Sequence, residues 1–388
     1  MKSCVLVAAD FVRTGGMDRA NYAVASCLAD RGVETHLVAY RVANSLLSHD
    51  HVTFHRVPKP LNSYLAGEPV LDRFGRAWAA RIVALGGRVL VNGGNCSWND
   101  VNWIHYVHAA YRTSLFQNGA ATIPAERRLV RIKNVIHQRL SRNREKRIVP
   151  PARVVIANSQ RTARDLVERL GVSPSRVHCV YYGIDTDLFR QATPNDRARA
   201  RRELGWPIER PVALFIGALG DRRKGFDTLF NAWRRLCAAP SWDVELAVVG
   251  AGVEADDWRR RAADCGMESR IRFLGKRQDV PGLLAASDAL VAPTRYEAYG
   301  LAVHEALCCG LPSFVTHDAG IAERYPPSLR QLLLDDPNDD ADLAERLKAW
   351  RAQPGIFKSE LAALAAKLRT RTWEDMAEEF IALMEHRQ

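Results

Sequence analysis

The sequence predicts an α/β protein made of two doubly wound parallel-sheet domains. Three observations carry this expectation. The chain has 388 residues, more than one ordinary core accommodates. Short apolar runs alternate with segments of helical spacing, the pattern of a parallel sheet with helices on both faces. The series stops in one polar, proline-containing stretch and then restarts.

Taken in order, CVLVAA reads as a buried strand, ADFVRTGGMD as a loop, and ANYAVASCLADRG as a helix closing at Gly32. ETHLVAY and VTFHRV read as strands, LDRFGRAWAARIVAL as a helix, and RVLVN as a strand. NWIHYVH reads as a strand ending in His108, and ERRLVRIKNVIHQRLSRNREKR as a basic helix. RVVIANS, QRTARDLVERLG and RVHCVYYG complete the first series as strand, helix and strand. The stretch VYYGIDTDLFRQATPNDRARARRELGWPIERP is polar and turn-rich, and the domain boundary is placed there, giving residues 1–184 and 185–371. The second series runs through strands PVALFIGAL, VELAVVGAG, IRFLG, ALVAPT and PSFVTH. The helices KGFDTLFNAWRRL, DDWRRRAADCG, DVPGLLAAS and LAVHEALCCG lie between them. In doubly wound sheets ligands bind beyond the C-terminal strand ends, and two such sheets face to face make a cleft.

Composition narrows the class. Hydrophobic content of 47% suits a soluble globular chain. The net charge of +11 fits nucleic acid, an anionic membrane surface, phosphorylated ligands, or simply an arginine-rich composition. VLVAAD is cut off by Asp10 before it reaches the length of a secretory core, and no apolar run approaches the ~18 residues of a membrane span. The eight cysteines show neither CxxC nor Cys/His ligand spacing, so reduced thiols in a cytoplasmic protein are expected and a structural zinc is not.

Four strand-to-helix loops carry chemistry. Each presents backbone N–H groups at a helix start, where unpaired donors and the helix dipole favour phosphate. In RTGGMD, Gly15 and Gly16 let the backbone approach an anion closely, or make only a flexible turn. The segment matches neither the dinucleotide nor the P-loop fingerprint. In GALGDRRKGFD, Arg222, Arg223 and Lys224 precede a helix start, where cations oppose the dipole; a bound anion or plain solvation accounts for them. In TRYEAYGLAVHEALCCGLP, Glu297 stands at a strand end, and Tyr299, Gly300 and Leu301 form the turn. Glu305 lies about one turn into an apolar helix, where a carboxylate needs partners such as sugar hydroxyls. HDAGIAE, residues 317–323, is the fourth loop. His108, beside Ala109 and Ala110, reaches into a cleft or is structural; by period two His105 points to the other face.

Together these loops resemble the retaining GT-B glycosyltransferases of the large group 1 family, glycosyltransferase family four. The similarity covers almost the whole chain. It is carried most by ARVVIANSQRTARDLVERLGVSPSRVHCVYYGIDTDLF, LFIGALGDRRKGFDTLFNAW and IRFLGKRQDVPGLLAASDALVAPTRYEAYGLAVHEALCCGLPSFVT. The resemblance implies two Rossmann-like domains, the first binding the acceptor and the second the nucleotide-sugar donor. The terminal segment 372–388 would cross back to the first domain, anchored by Trp373. It implies that Glu305 binds ribose hydroxyls and Glu297 the donor sugar. The turn amides of Tyr299, Gly300 and Leu301, with Lys224 and Arg222 or Arg223, would hold the diphosphate. Gly15 and Gly16 would approach that diphosphate, His108 would be the cleft histidine, and Arg277 would lie near the base. Glu297, His108, Lys224 and Arg223 form the implied catalytic set. Two departures stand out: Gly217-Ala218 replaces the usual Gly-Arg, and Ala319-Gly320 replaces Gly-Gly.

The implied reaction is a metal-independent, retaining hexose transfer, with no cofactor. UDP-sugar is favoured as donor and GDP-mannose comes next; the acceptor is a cell-envelope glycan or a lipid-linked glycan such as lipopolysaccharide. The basic helix 127–147 is expected to pack an apolar stripe of Leu129, Ile132, Ile136 and Leu140 on the first domain, with its charges facing an anionic membrane. That would make the protein cytoplasmic and peripheral at most. A sugar phosphorylase or an epimerase on the same fold, and a non-catalytic nucleotide-sugar binder, are the alternatives. Nucleic acid is not an expected partner, because the basic stretch has no interleaved aromatics.

Overall fold

The computed structural model describes residues 1–111 and 125–386; for 125–131, 133 and 134 it describes the backbone alone. The chain divides into two compact units. Unit 1 comprises Met1–Gly183 with Thr372–Gln388, and unit 2 comprises Ile184–Arg371.

Unit 1 runs β1 (Ser3–Val7), β2 (Asp10–Phe11), α1 (Gly16–Asp30), β3 (Glu34–Ala39), β4 (Arg41–Val42), α2 (Asn44–Leu47) and β5 (Val52–Arg56). It continues with α3 (Tyr64–Ala84), β6 (Arg88–Asn92), β7 (Val101–Ile104), α4 (Ala125–Ile148), β8 (Val154–Ala157), α5 (Gln160–Leu170) and β9 (Val177–Cys179). Seven strands form one parallel sheet in the order β5-β3-β1-β6-β7-β8-β9. Its central strands are continuous runs of buried Val, Leu and Ile, as a sheet covered on both faces requires. The chain lays β3 and β5 to one side of β1 and then returns to place β6 on the other. The switch point is therefore β1/β6, and the Gly15–Gly16 turn follows β1 and β2 there.

Unit 2 runs α6 (Pro194–Glu203), β10 (Val212–Ile216), α7 (Phe226–Cys237), β11 (Glu245–Val249), α8 (Ala255–Asp264), β12 (Ile271–Gly275) and α9 (Val280–Ala286). It continues with β13 (Ala289–Ala292), α10 (Leu301–Cys308), β14 (Ser313–Thr316), β15 (Leu333–Leu334), α11 (Asp340–Ala352) and α12 (Lys358–Arg369). Its six-stranded parallel sheet has the order β12-β11-β10-β13-β14-β15, so the switch point is β10/β13. After α12 the chain returns to unit 1 as α13 (Trp373–Glu385). Its face of Trp373, Met376, Ala377, Phe380, Ile381 and Met384 is buried, and α13 packs on α1. Phe380 meets Trp103 at 4.4 Å between ring centres, and Trp373 meets Tyr182 at 5.9 Å.

Three expectations are corrected. Strand β7 ends at Ile104, four residues before His108. His105 is drawn inward instead. Its Nδ1 lies 2.5 Å from the Tyr182 hydroxyl, and Asn158 Nδ2 donates to its carbonyl at 3.1 Å, which diverts the chain out of the sheet. Strand periodicity therefore does not relate the two histidines.

The polar boundary stretch contains a helix, α6, started by a reciprocal Thr193–Asp196 capping box. The buried Arg201 fastens it by donating to the carbonyls of Pro207, Ile208, Arg210 and Ala286 and to Asp288.

The apolar stripe of α4 does not pack inward. Ile132, Ile136 and Leu140 are 38%, 48% and 46% exposed. The buried edge is Gln138, Ser141, Glu145 and Ile148, because its polar members have partners: Gln138 donates to the Tyr111 carbonyl, and Glu145 meets His108. The side chains of Arg127, Arg128, Leu129 and Arg131 lie outside what the structure describes.

Candidate functional site

In unit 2 the chemistry gathers at the β10/β13 switch point. After β10 the chain makes a 3-10 turn at Arg222–Lys224 and enters α7 through Gly225 at φ 69°. Residue 225 has to be glycine: a Cβ there would sit 1.8 Å from the Pro293 carbonyl oxygen, in the loop after β13. This backbone-on-backbone crossing brings Lys224 to Glu297, with Nζ to Oε2 at 2.5 Å. Both side chains remain about a quarter exposed, so a ligand can reach them.

Each neighbouring cation is also held by an acid. Arg223 is bidentate to Asp221, at 3.0 and 2.5 Å. Arg222 donates to Asp227 at 2.8 Å. Asp227 is shared: Arg295 grips both its oxygens, at 2.8 and 3.0 Å, and donates to the Arg222 carbonyl at 2.8 Å. Burial alone would raise the Asp227 carboxyl, but Arg295 and Arg222 outweigh it and hold it below the usual carboxylate range. Two guanidiniums on one carboxylate leave a positive surplus, which suits an anion.

Gly300, at φ 106°, caps α10. A Cβ on it would press against Ile321 at 2.9 Å and Glu297 at 3.3 Å. The first N–H groups of α10, including that of Leu301, have no intrahelical acceptor. The loop at 317–323 closes on this turn: Gly320 N donates to the Glu297 carbonyl at 3.0 Å, and Ile321 N to that of Tyr299 at 2.6 Å. Tyr299 is buried, with its hydroxyl 3.1 Å from His304 Nδ1. Glu305 is buried within α10. Arg277 is not part of this cluster. It follows β12, two strands from β10, and makes a bidentate pair with Asp279 at 2.8 and 2.5 Å.

In unit 1, Gly15, at φ 85°, caps α1, and Gly16 is its first residue. Asp18, in the first turn of α1, is pushed up to about 6 by burial and then by the nearby Asp10. Asp10 itself is tied to Arg41 at 3.2 and 2.6 Å. His108 sits in a turn beyond β7, with Nδ1 2.6 Å from Glu145 Oε1.

Sequence reasoning missed Asp227, Arg295, Glu145 and Asp18. Arg295 stood inside the quoted TRYE segment, and Glu145 was the one acid among the nine cations of residues 127–147. Those were the available signals.

Comparison with known proteins bears on the family and the fold. Residues 210–352 match the model of "Glycosyl transferases group 1", and residues 14–188 match "Glycosyltransferase Family 4". A D-inositol 3-phosphate glycosyltransferase of Corynebacterium aurimucosum is 32% identical over 50% of this chain and 51% of its own length. The protein of that name from Corynebacterium jeikeium is 29% identical over 64% of this chain and 58% of its own. The chain thus spans about half the length of these relatives. Among solved structures, WaaG, a glycosyltransferase involved in lipopolysaccharide biosynthesis, aligns over 99% of this chain and 100% of its own, with a TM-score of 0.74 at 19% identity. Sucrose-phosphate synthase from Thermosynechococcus elongatus covers 99% and 98%, at 0.75 and 20%. Anabaena HepE, solved with UDP and glucose, covers 98% and 99%, at 0.71 and 18%.

Proposed function

From the premise that this chain belongs to the group 1, family four glycosyltransferases of GT-B fold, we propose that it transfers a hexose, with retention, from a nucleotide diphosphate sugar. UDP-sugar is the favoured donor and GDP-mannose the second. The acceptor is a cell-envelope glycan or a lipid-linked glycan. The observation that carries this reading is the Lys224–Glu297 pair, which joins the loops after β10 and β13 beside the start of α10.

In this reading Lys224, the α10 amides and an arginine of the 222–223 pair hold the diphosphate. They stabilise the negative charge that builds as it departs, which is electrostatic preorganisation. Glu297 and Glu305 read hydroxyls of the sugar and the ribose. An acceptor hydroxyl attacks the anomeric carbon on the face the diphosphate leaves. The carbon–oxygen bond to phosphate breaks, and the hydroxyl proton passes to the departing phosphate oxygen. By the family resemblance, Gly15 and Gly16 are assigned to the diphosphate and His108 to a substrate hydroxyl. The cations take the part a divalent ion plays elsewhere, so activity is expected to survive EDTA.

The exposed Ile132, Ile136 and Leu140 beside Arg139 support peripheral attachment to an anionic membrane, where a lipid-linked acceptor would lie. Among the described residues no helix is long and apolar enough to cross a membrane. A second acceptor class, a phosphorylated polyol, is favoured by the name of the curated relatives.

The test is a thermal-shift screen with UDP, GDP, ADP and dTDP sugars on wild type and Glu305→Ala, followed by transfer assays on both acceptor classes. One nucleotide class stabilising only the wild type supports the proposal. Saturating concentrations without any shift would sink it.

A further inference from the structure

Glu145 is buried at 2% exposure in the last turn of α4. Both facts count against it, since burial disfavours a carboxylate and a helix C-terminus disfavours an anion. Among the described residues its one ion-pair partner is His108. Glu145 Oε1 accepts twice from that residue, from the backbone N–H at 3.0 Å and from ring Nδ1 at 2.6 Å. Glu145 Oε2 is buried with no partner among the described residues. Fastening α4 to this segment does not depend on the contact, because Gln138 already donates to the Tyr111 carbonyl at 2.7 Å.

A carboxylate can only accept, so Nδ1 of His108 is the donor. In a neutral imidazole the other nitrogen is then an acceptor. The side chain of His108 is 33% exposed while that of Glu145 is 3% exposed, so the open edge of the ring is the one away from Nδ1. His105 differs: it is half-buried, its ring pushed down to about 3 by desolvation, and bonded to Tyr182.

We propose that Glu145 is a positioning residue for His108. It holds the ring in the Nδ1–H tautomer and so offers Nε2 as the acceptor for a hydroxyl of the donor sugar or the acceptor. The double contact to backbone and ring also prevents a ring flip, since the flip would break the Nδ1 bond. The inference rests on the part given to His108 in the proposed transfer.

The experiment uses the full chain with 15N-labelled histidine, with the His108 signals assigned by their loss in His108→Ala. In its neutral form wild-type His108 is expected as Nδ1–H with a lone pair on Nε2, and Glu145→Leu is expected to shift it toward Nε2–H. Nucleotide release from UDP-glucose is read in parallel. Glu145→Leu should lower kcat about 10- to 100-fold with KM little changed, by analogy with other oriented histidines. The double variant should be no slower than His108→Ala alone. Thermal midpoints check that each variant folds, and Glu145→Met, of similar length and without an oxygen acceptor, stands in if the leucine variant does not. An Nε2–H tautomer in the wild type, or losses that add in the double variant, overturns the proposal. If wild type does not turn over UDP-glucose, the donor assignment fails and the tautomer alone decides this inference.

Discussion

Lys224 and Glu297 are 73 residues apart in sequence and 2.5 Å apart in space, joined across the β10/β13 boundary where the strand order of the parallel unit 2 sheet reverses. The pair is partly exposed, so its own contribution to stability is about 1 kcal/mol or less. Its weight lies in charge placement.

Lys224→Ala is therefore expected to fold normally and to lose about 100- to 1,000-fold in kcat with a nucleotide sugar, the scale of removing one preorganised donor. Glu297→Gln should lose less affinity for free nucleoside diphosphate than for the nucleotide sugar, because its partner is the sugar. Calorimetric titration with both ligands checks this, and equal losses would contradict the role.

Two carboxyls set opposite pH dependences. Asp227 is held below the usual range, so its stabilising effect is present above about pH 4 and lost as pH falls through its lowered value. Asp18 is pushed up to about 6, so the folded state binds its proton more tightly and stability falls as pH rises from about 4 to 6. Asp18→Asn is expected to raise stability at pH 8 by about 1–2 kcal/mol after allowing for partial exposure, and to change little at pH 4. Thermal midpoints across pH decide it.

Gly225→Ala puts a Cβ 1.8 Å from the Pro293 oxygen at a left-handed φ of 69°. The cost expected is about 2–4 kcal/mol, read as a lower unfolding midpoint for unit 2. Gly282→Ala is the control. It lies within α9 with nothing within 4 Å of the added Cβ, and should be neutral or stabilising by about 0.5–1 kcal/mol.

Replacing Ile132, Ile136 and Leu140 together by Gln removes exposed apolar surface and no charge. Flotation with vesicles of anionic lipid should fall severalfold while the thermal midpoint holds. Unchanged flotation would remove the membrane from the proposal.

The sheets were legible because buried parallel strands are continuous apolar runs: RVVIA became Val154–Ala157 and ELAVV became Glu245–Val249. The two-residue strands at Asp10 and Arg41 carry no such run. Helix α6 was hidden by its polarity, since its hold on the unit is Arg201 and not an apolar face. The loops of the site were legible through glycine and local charge. The acids that organise them were not, because Asp227 meets Arg295 across 68 residues and Glu145 meets His108 across 37. Local pattern says nothing of such pairs. The α4 stripe misled for a related reason: helical spacing identifies an apolar face without saying what covers it.

The return of α13 to unit 1 fixes an order of events during synthesis. Unit 2 is one continuous segment, Ile184–Arg371, and is complete before the ribosome adds Thr372. Unit 1 begins first but waits for Met376, Phe380 and Ile381 to cover α1 and Trp103. The unit begun first thus depends on the segment made last. Through most of translation it presents an uncovered apolar face, the kind of surface that chaperones engage. A chain cut short just after Arg371 would hold every residue of unit 2, tethered to an unfinished unit 1.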